Sequence, residues 1–438
     1  MIGGARTGER ELGFGRLLAW VSPSRLIVIG IVCLYFLGLL ALGGHHAWGR
    51  LGVPPSGHGF GDTRGLTSGW ECTRRGIDVL PANPCDYSDR PANYPRIWMA
   101  ASILGLGAGS TLAVGLLFVT AFLVAALAVL PSRARPRDAV VYAAAICSPA
   151  VMLGVERGNA DLLVFAVVAL AVLLYRREER SILSHALILF AAVLKLFPIF
   201  AAGWLIRRGS RRALIGFAVI MGAFAIYALA TLGDIRTIQH VTPQSDDFSY
   251  GVRVFSERLA AAVYSFAGHV GAAGSLRQLG YRVWDLVVVA VVAGPILHFR
   301  RWLRAQLPDE RNPAAQRDLD LFVAGAGIYL CTYVLFRSFD YRLAFLLLTL
   351  PQLLRWARER RAPALVTLGA LFGTLWLDAN STARVPGLGA ALSAWNRLST
   401  VPPFHKPLPI VVLAQLILFA GLLGCLVATA PTRLTQRS

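Results

Sequence analysis

Long apolar runs decide what this chain can fold into. Several of them approach the roughly 20 residues that an α-helix needs to cross a bilayer. Hydrophobic residues make up 56% of the sequence and its mean hydropathy is +0.58, whereas soluble domains contain about 45–50% apolar residues. The sequence therefore predicts an all-α fold, a polytopic transmembrane helical bundle, in which residues 1–438 form a single integral membrane domain within the lipid bilayer.

Basic residues set the expected orientation of the bundle. The formal charge is +19, and of the 43 basic residues only Lys195 and Lys406 are lysines. In a soluble protein this charge would suggest a nucleic-acid partner. Here the arginines cluster in short loops between apolar runs, as the positive-inside rule describes for cytoplasmic loops. We therefore expect no nucleic-acid partner, and a multi-pass protein of the plasma membrane with both termini in the cytoplasm.

Apolar length and loop arginines together predict about ten full spans and one re-entrant hairpin. Residues 139–155 and residues 343–354 are each expected to cross the membrane once. The hairpin covers residues 181–206 and is broken between Lys195 and Pro198, because basic residues flank both of its ends. Broken helices at membrane depth are tolerated where they line a cavity, so we expect this break beside a functional cavity.

Two polar segments are expected on the outer face. Residues 44–97 form an extracytoplasmic first loop, and residues 233–283 form a second extracytoplasmic segment. In the second segment Val252, Phe255 and Leu259 recur at helical spacing beside charged residues, which predicts an amphipathic helix on the membrane surface. The chemically specific loops are therefore expected on one side of the membrane.

The first outer loop contains a candidate catalytic carboxylate. Asp62 precedes a predicted helix from Thr63 to Arg75, so it is either an N-cap residue or a general base that accepts a proton from a hydroxyl group. Cys72 and Cys85 share the loop, and an oxidising outer face would favour a disulfide between them. Two cysteines without nearby histidine or cysteine partners make a poor zinc site, so we expect no metal.

The run from Pro91 to Arg96 lies between this loop and a short apolar helix. Its two prolines restrict the backbone and fix the chain ahead of that helix. We therefore expect Asn93, Tyr94 and Arg96 to lie near the candidate carboxylate and to contact substrate.

A compact polar turn, ERGNAD, joins two apolar runs. Charged groups at membrane depth are costly, so a cluster of them usually has a task. We predict that Glu156, Arg157, Asn159 and Asp161 contact substrate. The structural alternative is that Glu156 and Arg157 pair with each other at the interface, while Asn159 and Asp161 cap the returning helix.

The segment RSFDYR, from Arg337 to Arg342, has the same character. Its two arginines are suited to bind phosphate in a forked fashion. Asp340 and Tyr341 lie between them and would contact substrate. The alternative is that the segment is only an anchor at the outer membrane interface.

Lys195 interrupts an apolar segment, where an unpaired ammonium group would cost at least about 2.5 kcal/mol. It therefore needs a partner, which is either an acidic side chain such as Glu156 or Asp161, or the phosphate of a bound donor. Because arginine replaces lysine almost everywhere else in the chain, a retained lysine favours a tight site that needs a compact charge. His405 and Lys406, beside two prolines, either bring a second cation to that phosphate or form a simple surface loop.

Together these features resemble a family of membrane enzymes. The aspartate in the first outer loop, the NYPR run, the RGNAD turn, the broken LKLFP segment and the FDYR sequence are similar to those of the GT-C membrane glycosyltransferases. They most resemble the glycosyltransferase 87 family of polyprenyl-phosphate-dependent mannosyltransferases and their relatives. The resemblance covers residues 62–198 and 337–342. It implies a GT-C-like fold, sugar transfer from a polyprenyl phosphate on the extracytoplasmic side, and a catalytic role for Asp62.

The resemblance and the residues together predict a hexosyltransferase of the cell envelope. It would move a hexose such as mannose, or a pentose, from a polyprenyl-phosphate donor to a lipid-linked or glycan acceptor. The sequence has no glycine-rich phosphate loop for a nucleotide, and no cofactor is expected. Two alternatives remain: a transporter or flippase of lipid-linked sugars, which the broken helix favours, and a polysaccharide polymerase or ligase. The predicted ligands of the donor phosphate are Lys195, Arg337, Arg342, Lys406 and His405.

Overall fold

The computed structural model describes residues 22–175, 182–243, 249–256, 274–307, 312–335, 337–377 and 408–430. Regular structure in these residues is helical, as the apolar runs predict, apart from one antiparallel pair of two-residue strands. The α-helices of the first half are α1 Pro23–Ala41, α2 Gly61–Arg74, α3 Thr111–Val129, α4 Pro136–Ile146, α5 Pro149–Arg157, α6 Asp161–Leu174, α7 Ile182–Lys195 and α8 Gly203–Arg208. Those of the second half are α9 Arg211–Ala230, α10 Leu232–Val241, α11 Gly274–His298, α12 Arg300–Gln306, α13 Pro313–Leu335, α14 Leu350–Arg358, α15 Ala362–Trp376 and α16 Leu408–Thr429.

Short 3-10 helices and two strands connect these elements. They hold the chain close to the ends of the long helices rather than adding a separate layer. The 3-10 helices are Gly44–Leu51, Arg96–Leu104, Ala108–Ser110, Phe197–Ala202 and Asp340–Leu348, and the strands are β1 Ser249–Tyr250 and β2 Ser338–Phe339.

Several of the helices are able to cross a membrane. Within the described residues, four helices are long and apolar enough, and two bent helix pairs raise the number to six if each pair is one span. Other apolar helices have only 10–17 residues, which is shorter than the roughly 20 that a crossing needs. The chain is therefore a multi-pass membrane protein, but the prediction of about ten full spans is not confirmed. The four long helices are Pro23–Ala41, Ala108–Val129, Arg211–Ala230 and Pro313–Leu335.

Residues 139–155 form two helices instead of one continuous helix, and the predicted single crossing holds only if this bent pair is one span. Helices α4 and α5 meet at an angle of 54°, and Pro149 lies at the start of α5. Proline has no amide hydrogen to donate to the preceding turn, so it is tolerated at the first turn of α5 but prevents α4 from continuing. Residues 343–354 are likewise divided, between the 3-10 helix Asp340–Leu348 and α14, which has a proline in its first turn.

The predicted break within residues 181–206 is present where the sequence placed it. Helix α7 ends at Lys195, and the next residue, Leu196, has a φ of +54°. Such a φ is uncommon for a residue other than glycine, and a 3-10 helix that contains Pro198 follows. The re-entrant course of this segment through the membrane stays a prediction.

The predicted first outer loop, residues 44–97, packs down onto the helices. Cys72 and Cys85 form a disulfide with their Cα atoms 5.7 Å apart, which confirms the predicted pairing. The indole nitrogen of Trp70 donates to the carbonyl of Trp98 at 2.7 Å, and the indole nitrogen of Trp98 donates to the carbonyl of Leu194 in α7 at 2.9 Å. These two bonds fix the loop over the end of α7.

The described part of the predicted second outer segment, residues 233–283, pairs with the RSFDYR segment. Ser249 lies opposite Phe339 and Tyr250 lies opposite Ser338 in the antiparallel strand pair. The strand pair therefore brings the second outer segment next to the end of α13. The predicted amphipathic helix lies mostly outside the described residues, from residue 257 onward.

Candidate functional site

A cavity of about 400 Å³ opens where the first outer loop meets the helical bundle. Its wall comes from the start of α2, the run before Tyr94, the turn between α5 and α6, the end of α7, and β2 with the residues after it. This volume is within the range of small-molecule sites. The lining residues are Gly61, Asp62, Gly65, Arg90, Pro91, Ala92, Asn93, Tyr94, Leu153, Arg157, Asn159, Lys195, Val241, Pro243, Phe339 and Tyr341.

Asp62 lies in the first turn of α2, on this wall. The N-cap residue of α2 is Phe60, so the alternative in which Asp62 is an N-cap residue is wrong. Instead, Asn159 Nδ2 donates to Asp62 Oδ2 at 2.6 Å, and a guanidinium nitrogen of Arg157 lies 3.9 Å from Asp62 Oδ1. The side chain of Asp62 is 17% exposed. The carboxylate is therefore held by the turn and is still accessible from the cavity.

Two glycines allow α2 to come this close to its neighbours. Gly158 has a φ of +57°, and a Cβ atom on it would overlap Thr63 Oγ1. A Cβ atom on Gly115 of α3 would lie 2.6 Å from the ring of Phe60. The hydroxyl of Thr63 donates to the carbonyl of Gly158 at 2.5 Å. The start of α2 is therefore fixed against both α3 and the polar turn.

Glu156 anchors the polar turn and does not line the cavity. Its Oε1 accepts hydrogen bonds from the backbone amide and the hydroxyl of Ser56, both at 2.7 Å, and lies 3.3 Å from His45 Nε2. Glu156 and Arg157 thus have different partners, so the alternative in which they pair with each other is wrong. Glu156 borders a second cavity, of about 740 Å³, which Phe60 also lines.

Lys195 has an acidic partner. Its Nζ lies 3.0 Å from Asp161 Oδ1, while Arg342 Nε donates to Asp161 Oδ2 at 3.3 Å. Nζ also lies 4.5 Å from the ring centre of Tyr94, a cation–π contact. Asp161 is buried behind Lys195, and only Lys195 of this pair lines the cavity. Lys195 and Arg342 both pair with the single carboxylate of Asp161, so this group of three side chains has a net positive charge.

Arg90 lines the cavity, although the sequence analysis did not identify it. Its guanidinium donates to the Asp86 carboxylate at 2.9 and 3.1 Å and to the carbonyl of Gly61 at 3.3 Å. Burial would raise the pKa of Asp86, but the hydrogen bonds and the charge of Arg90 hold that pKa below its usual value. Asp86 in turn raises the pKa of Arg90. The signal available in the sequence was the i, i+4 spacing of Asp86 and Arg90 directly after Cys85.

Arg96 points away from the cavity. Its guanidinium pairs with Asp78 at 2.8 Å and with Asp234 at 2.9 Å, and its side chain is 48% exposed. The hydrogen bond from Arg96 lowers the pKa of Asp78. Arg96 therefore does not reach the Asp62 carboxylate, because its ion pairs with Asp78 and Asp234 hold its side chain outside the cavity.

Arg342 is occupied by protein groups. In addition to its pairing with Asp161, it donates to the Ser338 hydroxyl at 3.2 Å, and its guanidinium carbon lies 4.8 Å from the ring centre of Phe197. The neighbouring Asp340 is 2% exposed. Of the two arginines predicted to bind phosphate together, Arg342 is therefore engaged by protein side chains and does not line the cavity.

The predicted site residues fall into three groups. Those that line the cavity are Asp62, Asn93, Tyr94, Arg157, Asn159, Lys195 and Tyr341. Those that do not line it are Arg96, Glu156, Asp161, Arg337, Asp340 and Arg342. His405 and Lys406 lie outside the described residues.

Positive charge predominates on the cavity wall. Among the described residues, Arg90, Arg157 and Lys195 accompany a single carboxylate, that of Asp62. No group of three or more His, Cys, Asp or Glu side chains in this part of the chain is placed to hold a metal ion. The cavity therefore combines one proton acceptor with several groups that bind anions.

Comparison with known proteins gives one match. No curated protein and no solved structure matches the chain. The family model described as Glycosyltransferase family 87 matches residues 95–317, just over half of the sequence. The matched region includes Arg157, Asn159 and Lys195 of the cavity wall and begins after Asp62. This helical membrane protein with a polar, cationic cavity therefore belongs to glycosyltransferase family 87.

Proposed function

We propose that the chain transfers a sugar from a polyprenyl-phosphate donor to a lipid-linked or glycan acceptor on the extracytoplasmic face of the plasma membrane. The family assignment makes it a membrane glycosyltransferase. The observation that carries the finer proposal is the position of Asp62 on a cavity wall that also contains Arg90, Arg157 and Lys195. A base next to an excess of cations suits a hydroxyl nucleophile and a phosphate leaving group.

In the proposed reaction Asp62 is the general base. The acceptor hydroxyl transfers its proton to a carboxylate oxygen of Asp62 as the hydroxyl oxygen attacks the anomeric carbon of the donor sugar. The bond between the anomeric carbon and the phosphate oxygen breaks, and the polyprenyl phosphate leaves with the electron pair. Asn159 supports this role because its hydrogen bond to Oδ2 fixes the plane of the carboxylate.

The cations of the wall would stabilise the leaving phosphate. Negative charge develops on the phosphate oxygen during bond breaking, so positive groups fixed there act most strongly in the transition state. Lys195 is positioned by Asp161 and Tyr94, and Arg90 is positioned by Asp86. Both cations are therefore held in place before the donor arrives, which lowers the cost of reorganisation.

The second cavity supports a lipid-linked donor. It lies next to the start of α2, and apolar residues of α1 and α3 form one side of it. Its polar end is close to the turn that carries Arg157, because Glu156 belongs to both. A prenyl chain in this cavity would pack against apolar side chains of α1 and α3, beside the start of the helix that carries Asp62. The apolar lining residues are Phe36, Leu39, Leu112, Leu116, Val119 and Val155.

Transfer from a defined donor tests this function. Purified full-length protein in vesicles would be given either a radiolabelled polyprenyl-phosphate hexose or the matching nucleotide sugar, together with a lipid extract as the source of acceptor. We expect labelled product from the polyprenyl-phosphate donor alone. Use of the nucleotide sugar would overturn the proposed donor. Movement of the labelled donor across the bilayer without product would instead favour a flippase, for which the helix break at Leu196 is the supporting feature.

A further inference from the structure

A third cavity, of about 410 Å³, lies at the other end of the helical bundle. It is formed by the loop between α3 and α4, the first turns of α4 and α13, and the end of α14. Its charged lining consists of Arg133, Asp138, Arg317, Asp318, Arg355 and Arg358.

The length of α3 separates this cavity from the candidate active site. The hydroxyl of Thr111, at the start of α3, lies 2.9 Å from that of Thr67 in α2, near the catalytic cavity. Leu130, just after the last residue of α3, lines the third cavity. The helix has 19 residues, so at about 1.5 Å per residue it holds the two cavities roughly 28 Å apart. That distance is close to the thickness of the hydrocarbon core of a bilayer, about 30 Å.

The third cavity has a net positive charge. Four arginines and two aspartates line it, so its formal charge is +2. Asp318 pairs with Arg355 at 3.0 Å, and Asp138 pairs with Arg358 at 2.8 Å. Each carboxylate therefore already has one arginine, and the excess charge belongs to the two remaining arginines.

The two remaining arginines differ in their surroundings. Arg317 donates to the carbonyls of Ala128 and Val129 at the end of α3, at 2.6 and 3.1 Å. Arg133 is exposed and has no hydrogen bond or ion pair with any residue that the structure describes. The Nε of Arg355 and the Oδ1 of Asp318 are both buried away from solvent, and neither has a hydrogen-bond partner in the described part of the chain. Among the described arginines that line the cavity, the accessible and unpaired guanidinium group is therefore that of Arg133.

We propose that this cavity binds a phosphate-bearing anion, either the headgroup of an anionic lipid or a free phosphate compound. Guanidinium groups bind phosphate oxygens through paired hydrogen bonds, and basic pockets between transmembrane helices at one membrane surface bind phospholipid headgroups. The site is separate from the sugar donor and acceptor because it lies at the opposite end of α3. A bound phosphate would bridge the loop after α3 and the end of α14, and so would stabilise that end of the bundle.

The test compares two substitutions four residues apart, one in the loop after α3 and one in the first turn of α4. Arg133→Gln removes the unpaired guanidinium at the cavity. Arg137→Gln removes an equal charge from an exposed residue that does not line the cavity, and it controls for nonspecific charge effects. Both residues are exposed, so neither substitution disturbs a buried contact. The ligands are inorganic pyrophosphate, added to full-length protein in detergent, and phosphatidylglycerol, compared with phosphatidylcholine in nanodiscs.

We expect Arg133→Gln to weaken anion binding roughly tenfold, the effect of losing one hydrogen bond to a charged group, while Arg137→Gln binds like the parent. Pyrophosphate binding with this dependence identifies a free phosphate compound as a ligand. Retention of phosphatidylglycerol over phosphatidylcholine with the same dependence identifies a lipid headgroup. The proposal is overturned if neither ligand binds, or if the two substitutions weaken binding equally.

Discussion

The side-chain amide of Asn159 donates a 2.6 Å hydrogen bond to the carboxylate of Asp62, across 97 positions of sequence. The carbonyl oxygen of the same amide accepts a hydrogen bond from the backbone amide of Asp161 at 2.8 Å. The start of α6 therefore fixes one end of the Asn159 side chain and thereby directs the other end toward Asp62. Because Asn159 occupies Asp62 Oδ2, Oδ1 is the oxygen that would meet an acceptor hydroxyl.

Replacing the Asp62 carboxylate by an amide should stop sugar transfer without unfolding the protein. Asp62→Asn is nearly isosteric and keeps a side-chain oxygen toward Asn159, but it removes the proton acceptor. General base catalysis typically contributes about 10²–10⁴-fold to a rate, so we expect turnover to fall by that factor. The measurement is single-turnover transfer from a polyprenyl-phosphate sugar, with donor binding assayed separately and expected to stay within a few-fold of the parent.

Asp89→Asn is the matched control for this substitution. Asp89 belongs to the same loop, is exposed, and does not line the cavity. Its φ is +52°, a conformation that asparagine adopts readily. Parent-like turnover is expected from Asp89→Asn. If Asp62→Asn were equally active, the base would have to be another carboxylate.

A methyl group at Gly158 should disturb the contact that places Asp62. Gly158 has a φ of +57°, and a Cβ atom there would collide with Thr63 Oγ1 and with the side chain of Phe60. Overpacking of this kind typically costs about 1–3 kcal/mol, and a positive φ adds strain for alanine. Gly158→Ala should therefore lower the melting temperature and also reduce turnover, because α2 must move away from the turn.

Gly57→Ala is the control for the glycine substitution. Gly57 lies in the same outer loop, and a Cβ atom on it would meet nothing within 4 Å. We expect Gly57→Ala to melt and to turn over like the parent. A parent-like result from Gly158→Ala as well would show that the close approach of α2 to the turn has no role in the site.

The sequence identified the site residues mainly through the cost of burying charge. Lys195 and the ERGNAD turn stand out because polar groups inside apolar runs need partners. Lys195 and Asp161 do partner each other, at 3.0 Å. The sequence does not single out Arg90, because it lies in a polar loop where a charged residue carries no burial cost. Its direction is set by the Asp86 carboxylate and by the carbonyl of Gly61, which is 29 positions away in the sequence. A contact over that separation cannot be predicted from composition.

The number of spans was harder to predict than the presence of helices. Apolar length predicts a helix but cannot tell whether the helix continues through a proline. Pro149 divides one predicted span into two helices at 54°. The break after Lys195 could be predicted because two signals occur together there: a charged residue inside an apolar run and a proline three residues later. The prediction that Arg96 lies near Asp62 was wrong. Arg96 is close to Tyr94 in sequence, but its side chain is directed elsewhere by ion pairs with Asp78 and Asp234.

Acid should loosen the loop that holds Arg90. The folded pKa of Asp86 lies below its usual value because of Arg90, and the unfolded value is about 3.9. The pair therefore contributes its full stabilisation above about pH 4, and this contribution is lost as the pH falls through the folded pKa. We expect Asp86→Asn to lower the melting temperature at pH 7 and to reduce the further loss on acidification below about pH 4.

Melting curves of the parent, Asp86→Asn and Asp89→Asn between pH 7 and pH 3 measure this effect. Asp89→Asn should follow the parent, because Asp89 is exposed and outside the cavity. Identical acid sensitivity in the parent and Asp86→Asn would mean that Asp86 does not cause the loss. Binding of the polyprenyl-phosphate donor should fall over the same range, since Arg90 would no longer be held at the cavity wall.

Lys195 distinguishes a structural ion pair from a group that serves the leaving phosphate. Its Nζ contacts Asp161 and the ring of Tyr94, and it also lines the cavity. Lys195→Met keeps most of the side-chain volume and removes the charge, while Asp161 keeps Arg342 as a partner. Loss of one preorganised donor to a developing anion typically costs about 10²–10³-fold in turnover. We expect that loss in Lys195→Met, together with a melting temperature near that of the parent.

Lys195→Arg separates charge from shape at the same position. Arginine retains the charge, but its planar guanidinium is larger than an ammonium group, and Arg342 already contacts the other oxygen of Asp161. We expect donor binding within a few-fold of the parent and turnover between those of the parent and Lys195→Met. A purely structural lysine would give the opposite pattern, in which Lys195→Met loses thermal stability and both variants turn over like the parent per folded molecule. Donor binding, single-turnover rate and melting temperature, measured on the same preparations, decide between the two roles.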